Sequence, residues 1–467
     1  MQKRKLLLSC SSLIAASNLR TCLAFVPINI RRGTISKSNT SFARQTSSFT
    51  TTTTSTTDTF GTTVFSSSAS DTSTTITTMA DTNESNSKSA VRVVSYNILS
   101  SELADPEFFT KCKPEHLDKS NRLPKILQKL QAEIDASKEQ ADPTSTSKST
   151  TTSNPLPVVF CLQEVSHEWA TSLHVFFAER GYHMITGLYG AKFNGYMGIA
   201  TAYPTGEFET CEIDLVRLSE KKRGGWPRKP RDPEPPAWRK YVVDPIYGPI
   251  NAAYRYYRPK KRAQQDAWEY SQYRYNQFIA VKLKNRRLEE GVDATPFWLG
   301  NYHMPCAFRT PAVMNIHADL VGCRIQKLSK EKEVDGDGTR NIPFVLAGDF
   351  NILPESPHYS LLRTGALDKK DVTYPDEKHS MNWMPQFKGM RSAYAEMNGE
   401  EPEFTNNAHN GAMNAESFIG TLDYIFLSDE WKVKGVEETP KKEGLKGVYP
   451  DEEEPSDHVL IAASLDI

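Results

Sequence analysis

The chain reads as a layered α/β protein whose strand ends converge on one cleft. Three observations predict this. Short apolar runs are separated by helical patterns and long polar loops. Nearly every such run stops at a carboxylate, amide or imidazole: Asn97 after VRVVSY, Glu164 after VVFCLQ, His303 after FWLGNY, Asp349 and Asn351 in FVLAGDFN, Asp423 entering DYIFL, and Asp457 with His458 before VLIAASL. Finally, the first 89 residues have no core-forming pattern, so the remainder fits one large two-sheet domain over 90–467.

Within 467 residues the formal charge is −1 and the mean hydropathy −0.53. Residues 1–89 are basic, which leaves the domain mildly acidic, so a broad nucleic-acid-binding face is not expected. Five of the seven cysteines, Cys112, Cys161, Cys211, Cys306 and Cys323, fall in the domain, widely spaced and without a CxxC. They read as free thiols rather than a disulfide framework or zinc site. No run beyond the amino terminus approaches the length of a membrane span, so no stable membrane insertion is expected.

At the amino terminus Lys3, Arg4 and Lys5 precede an apolar run to Ala16, and 1–24 has the form of a signal peptide. Residues 25–89 are rich in Ser and Thr, carry Arg31, Arg32, Lys37 and Arg44, and have no acid before Asp58, as in transit peptides. The pair resembles the bipartite plastid-targeting presequence of diatoms and related algae, with its junction at Ala24 and Phe25. That implies a plastid location. Secretion or the endomembrane system is the alternative, as is a cytosolic product started at Met79.

The first strand spans Val91 to Tyr96. Leu123, Ile126, Leu127, Leu130 and Ile134 have helix spacing, and the Ser/Thr-rich 142–153 reads as a loop. A strand over Val158 to Leu162 delivers Gln163 and Glu164, and an amphipathic helix follows from Ser166 to Arg180, closed by Gly181. Glycines among aromatics over Tyr182 to Ala202 suggest paired strands. Residues 221–275 form an insertion with basic runs, including Lys260, Lys261 and Arg262, interleaved with Trp226, Trp238, Trp268 and many tyrosines. Such a segment clamps phosphates and stacks bases, or else packs its aromatics on the domain while its charges stay solvated. Strands recur at Phe278 to Leu283 and Phe297 to Tyr302, and a helix spans Thr310 to Lys330, on which His317 reads as a surface or packing residue. Loops are expected at 331–339 and 406–420, and a helix from Pro357 through Leu362.

The strand-end groups are oxygen-rich and contain no cysteine, which suits Mg²⁺, with Mn²⁺ as the substitute, over zinc. A hard cation among histidines and amides suits phosphoester cleavage by water. No nucleophile elbow and no GxxxxGK[ST] loop is present, so neither acyl transfer nor nucleotide-driven motor chemistry is indicated.

The ordered set SYNIL, LQEV, NYHMP, GDFN, TLDYIF and PSDH resembles the endonuclease/exonuclease/phosphatase superfamily over nearly all of 91–467. FKGMRSAYAEMNGEEPEFTN followed by GTLDYIFLS is similar to its deadenylase branch, which includes nocturnin and the Angel proteins. The resemblance implies a two-sheet, DNase I-like α/β sandwich. It also implies Glu164 as principal Mg²⁺ ligand, with Asn97 and Asp457 helping to position metal or water. Asp349 would orient or deprotonate the attacking water, Asn351 would bind phosphate beside His303, and His458 paired with Asp423 would act on the phosphate. The chain departs from the deadenylase pattern at Tyr302, Met304, Pro305 and Cys306, and again at Asn194 to Gly198. The implied activity is hydrolysis of RNA from its 3′ end. Alternatives are a phosphatase or phosphodiesterase acting on a small phosphorylated metabolite or nucleotide cofactor, and a DNA endonuclease. A polymer would use Lys260, Lys261 and Arg262 as a contact, whereas a small metabolite calls for a closed pocket with Arg309 or that same run on a terminal phosphate. Protein partners are not legible.

Overall fold

The computed structural model describes residues 90–139, 156–229, 241, 245, 266–286, 295–332, 339–409 and 417–467. Residues 1–89, read from the sequence as targeting segments, residues 142–153, read as a loop, and Lys260, Lys261 and Arg262 lie outside the described residues.

Four strands open the fold: β1 (Ala90–Asn97), β2 (Val158–Val165), β3 (Tyr182–Leu188) and β4 (Gly198–Pro204). They are followed by β5 (Phe208–Arg217), β6 (Gln277–Asn285), β7 (Phe297–Tyr302), a short pair β8 (Lys330–Lys332) and β9 (Thr339–Asn341), and β10 (Phe344–Asp349). The carboxyl-terminal part adds β11 (Arg391–Ser392), the pair β12 (Asn406–Ala408) and β13 (Phe418–Gly420), β14 (Asp423–Leu427), β15 (Lys432–Val436) and β16 (Ile461–Asp466). One six-stranded sheet runs β15-β16-β1-β2-β4-β3 and the other β11-β14-β10-β7-β6-β5. Each contains one parallel pair at its centre, β1 with β2 and β10 with β7.

Alternation along the strands assigns every layer. Val91, Val93, Val159, Cys161, Ile461 and Ala463 face Val281, Leu299, Val345, Ala347 and Ile425 across the interior between the sheets. On the outer face of the first sheet, Val94, Tyr96, Phe160 and Leu162 pack against α1 (Lys119–Glu139) and α2 (His167–Ala178). On the outer face of the second, Trp298, Phe344 and Leu346 pack against α4 (Ala312–Ser329), which follows the short α3 (Ala267–Gln272). Helices α5 (Pro357–Thr364) and α6 (Ala393–Asn398) complete the set among the main helices. Because both faces of each central strand are covered, runs such as FVLA are apolar throughout rather than alternating. The result is the expected two-sheet α/β sandwich.

The predicted helices and central strands are present: α1, α5, β1, β2 and β6 run beyond the bounds the sequence suggested, β7 keeps them, and α2 and α4 are shorter by a few residues. Ser166 caps α2 by accepting from the Trp169 N–H at 3.2 Å. Two expected loops hold strands instead: β8 pairs with β9, and β12 with β13. The described flanks of the 221–275 insertion pack onto the domain. Trp268 is buried, with its indole N–H on the Asp376 carbonyl, and the Trp226 indole donates to Ser219 O. His317 is a packing residue and fully buried, not a surface one.

Candidate active site

The strand ends from both sheets meet around a single oxygen, Oδ2 of Asp349. The Asn97 amide donates to it at 3.0 Å, His303 Nε2 lies 3.5 Å away and His458 Nε2 lies 3.8 Å away. All four residues are buried. Gly348 makes this convergence possible. Its φ of +149° suits glycine, and a Cβ there would sit 1.9 Å from the Tyr302 carbonyl oxygen, so only a bare Cα lets β10 come this close to the segment carrying His303.

At the site Leu99, Glu164 and Asn351 also have positive φ, at 47°, 56° and 53°. Such backbone costs roughly 1–3 kcal/mol per residue and persists where surrounding contacts fix it. The Leu99 N–H donates to Asn97 Oδ1 at 3.0 Å, which fixes the amide so that its nitrogen faces Asp349 and, at 3.4 Å, Glu164. Glu164 sits at a register irregularity between β2 and β4 and accepts the Ser100 N–H at 3.2 Å. The Asn351 N–H donates to Asp349 Oδ1 at 2.8 Å, and its side-chain amide donates to Met304 O at 3.1 Å. As placed, Asn351 therefore clips the His303 segment to β10.

Each imidazole has a partner behind it. His458 Nδ1 lies 2.7 Å from Asp423 Oδ2, which also accepts the Thr405 hydroxyl at 2.6 Å. Residues flanking His458 are pinned by backbone bonds, Asn407 N–H to Asp457 O and Val459 N–H to Thr405 O. His303 Nδ1 lies 3.3 Å from the Tyr189 hydroxyl, and its carbonyl accepts from Asn276 at 2.8 Å. Burial pulls the His458 pKa down. The charge and hydrogen bond of Asp423, with Asp457 and Asp349, outweigh that and hold it well above the ordinary histidine value. Burial raises the Asp349 carboxyl, and Asp423 adds to the rise against His458 and His303. Asp457 is raised by burial, against the pull of His458, and Glu164 pushes it further up.

The ligand atoms of Asp349, Asp423 and His458 lie within 4.8 Å of one another, so this buried group could hold a divalent ion. Nearby, Asp457 Oδ1 is buried with no hydrogen-bond partner among the described residues. Arg309 is exposed in the turn before α4.

A sequence profile of the Endonuclease/Exonuclease/phosphatase family matches residues 94–458. The chain belongs to this family. Carbon catabolite repressor protein 4 homolog 4 of Arabidopsis thaliana is 31% identical over 148 residues, 31% of this chain and 32% of that protein. The probable CCR4-Not complex 3′-5′-exoribonuclease subunit Ccr4 of Vairimorpha ceranae is 27% identical over 165 residues, 33% of this chain and 32% of that protein. These matches span about a third of either relative's length. Among solved structures, ANGEL2, a 2′,3′-cyclic phosphatase, superposes with a TM-score of 0.55 at 18% identity, covering 81% of this chain and 95% of that one. The same protein with adenosine-2′,3′-vanadate gives 0.54, at 18% identity and with 81% and 96% covered. That likeness establishes the endonuclease/exonuclease/phosphatase sandwich.

Sequence reasoning named the groups that meet here but missed those behind them. Tyr189 lies in a segment whose glycine and aromatic spacing marks nothing individually. Thr405 was visible only as part of EFTN. Arg122 had a signal, since it shares an i, i+4 stripe with Ile126, Leu130 and Ile134, all buried.

Proposed function

We propose that the chain is a Mg²⁺-dependent phosphodiesterase that hydrolyses RNA from its 3′ end. The observation that carries this reading is the Asp349 oxygen ringed by one amide and two imidazoles. Neutral and cationic donors around a carboxylate of raised pKa suit a water held for attack between Asp349 and a phosphate.

Asp349 takes the role of orienting that water and accepting its proton. The Nε2 atoms of His303 and His458 point to where nonbridging phosphate oxygens would lie, and Asp423 keeps the His458 imidazolium charged as negative charge builds. Glu164 and Asp457 are the pair we assign to the cation. Their mutual repulsion and the orphaned Asp457 Oδ1 are what a hard, oxygen-seeking ion would relieve. Asp423 Oδ2, in contrast, already accepts Thr405 and pairs with His458. Mg²⁺ at the Glu164 pair would offset charge on the scissile phosphate and leaving oxygen. Asn97 meets the carboxylates through its N–H, so it holds Glu164 and Asp349 in place rather than donating an oxygen.

A second reading, hydrolysis of a terminal or 2′,3′-cyclic phosphate, is favoured by the likeness to ANGEL2 and by the departures around Met304 and Asn194. The test incubates the full chain and Glu164→Ala with Mg²⁺ on 5′-labelled poly(A), mixed-sequence RNA, RNA ending in a 2′,3′-cyclic phosphate, single-stranded DNA and NADPH. A ladder shortening from the RNA 3′ end, absent in Glu164→Ala, is expected. Intact polymers with a converted terminus move the enzyme to the second reading, and equal activity of Glu164→Ala removes the ligand assignment. Import into a plastid we propose from residues 1–89 alone; a fluorescent fusion of that segment that stays cytosolic refutes it.

A further inference from the structure

Arg122, near the start of α1, is a guanidinium with 1% exposure. Its Nε donates to Pro455 O at 2.6 Å, and its Nη2 donates to Ile98 O at 2.8 Å and Leu99 O at 2.5 Å. The guanidinium carbon stands 4.9 Å from the Trp169 ring centroid. Nη1 is buried with no hydrogen-bond partner among the described residues. These contacts are not scattered. Ile98 and Leu99 follow Asn97, Pro455 precedes Asp457 by two residues, and Trp169 sits in the helix that follows Glu164.

Burying an unpaired guanidinium is costly, and an apolar side chain on the Ile126, Leu130, Ile134 stripe would fill the position without that cost. Among the described residues the cation makes no direct ion pair, and burial lowers its pKa to about 10 against the pull of Asp457, Tyr96 and Glu164. The guanidinium instead fastens the chain on both sides of the site, Ile98 and Leu99 just after Asn97 and Pro455 just before Asp457. Its planar fork, unlike a lysine ammonium, reaches carbonyls from two chain segments at once.

We propose that Arg122 is a positioning residue for the Glu164 and Asp457 pair, tying the segments on either side of it into the geometry that receives a divalent cation. This rests on the reading that those two carboxylates take the ion. It touches neither substrate nor reacting atoms.

The experiment measures Mn²⁺ binding by calorimetry to the full chain, Glu164→Gln, Arg122→Lys and Arg122→Ala, with folding followed by circular dichroism. Arg122→Lys, folded, should bind Mn²⁺ about tenfold to 100-fold more weakly. Methylguanidinium should restore binding to Arg122→Ala but leave Arg122→Lys unchanged, a rescue that a purely packing role would not show. A folded Arg122→Lys with wild-type Mn²⁺ affinity overturns the proposal. So does a variant that stays unfolded even in saturating Mg²⁺ with methylguanidinium, since Arg122 would then serve the fold alone. Equal Mn²⁺ binding by Glu164→Gln and the wild type instead removes the ligand assignment itself, whatever Arg122 does.

Discussion

Acidifying the protein from about pH 7.5 to about pH 5 should remove about 2 kcal/mol of stability through His317 alone. Its ring is fully buried in α4, with Nδ1 2.8 Å from the Tyr302 hydroxyl and Nε2 3.3 Å from the Ser271 carbonyl. The carbonyl can only accept, so Nε2 carries the proton and Nδ1 accepts from Tyr302. Burial, with the positive charge of Arg274, lowers the pKa from 6.5 to about 3. The folded protein keeps the ring neutral while the unfolded chain takes up a proton below about 6.5, so the contribution is complete above that value and is lost as pH falls from it. About 1.5 units between 6.5 and pH 5, at about 1.36 kcal/mol each, give the figure. His358, also lowered by burial, adds to the slope, while the raised Asp349, Asp457 and Glu454 oppose it. The measurement is therefore a difference. Urea unfolding of wild type and His317→Gln at both pH values should show the wild type losing about 2 kcal/mol more, because glutamine can keep both hydrogen bonds without titrating. Parallel pH dependences would refute the buried neutral assignment.

Other expectations can be checked alongside. Gly348→Ala places a methyl against the Tyr302 carbonyl at a backbone angle suited to glycine, and should destabilise by at least about 3 kcal/mol in urea unfolding; a neutral result would disprove the close approach of β10. Thr405→Val strips the Asp423 carboxylate of a 2.6 Å donor and leaves the Leu422 and Asp423 N–H groups without their acceptor. A loss of about 2 kcal/mol is expected by thermal or urea unfolding. Asp423→Asn removes the charge that holds His458 protonated, so nitrogen-detected NMR should show the imidazole losing its proton at lower pH than in wild type. Turnover of that variant should fall about 100-fold with KM little changed, and an unaltered kcat would exclude the pair from the reaction.

What the sequence made legible follows burial. Strands covered on both faces, such as β2 and β10, announce themselves as unbroken apolar runs. The edge strands β5 and β15 carry half-exposed residues of the type FETCEIDLVR and KVKGV, with too little apolar content to stand out. The short pairs β8 with β9 and β12 with β13 are held by a few backbone bonds in polar segments, which composition reads as loops. At the site, chain order and residue type identified the converging groups. They could not reveal that Asn97, His303 and His458 share one oxygen of Asp349, nor that Tyr189 stands behind His303, because those contacts join positions with no common spacing; the helical stripe marks Arg122 as buried but not the segments it reaches.

The two sheets follow one plan. Each has six strands with its parallel pair at the third and fourth positions. Asn97 ends the third strand of one sheet as Asp349 ends the third of the other. Glu164 is the last residue but one of a fourth strand and His303 follows the other fourth. His458 leads into a second strand, and Asp423 begins its counterpart. Two of these corresponding pairs touch, Asn97 with Asp349 at 3.0 Å and His458 with Asp423 at 2.7 Å. The site thus lies between corresponding strand ends of the two sheets, a seam to which both halves contribute. Sliding one sheet past the other would misalign both contacting pairs together, so the packed interior between the sheets acts as a mechanical tolerance on the chemistry at its edge.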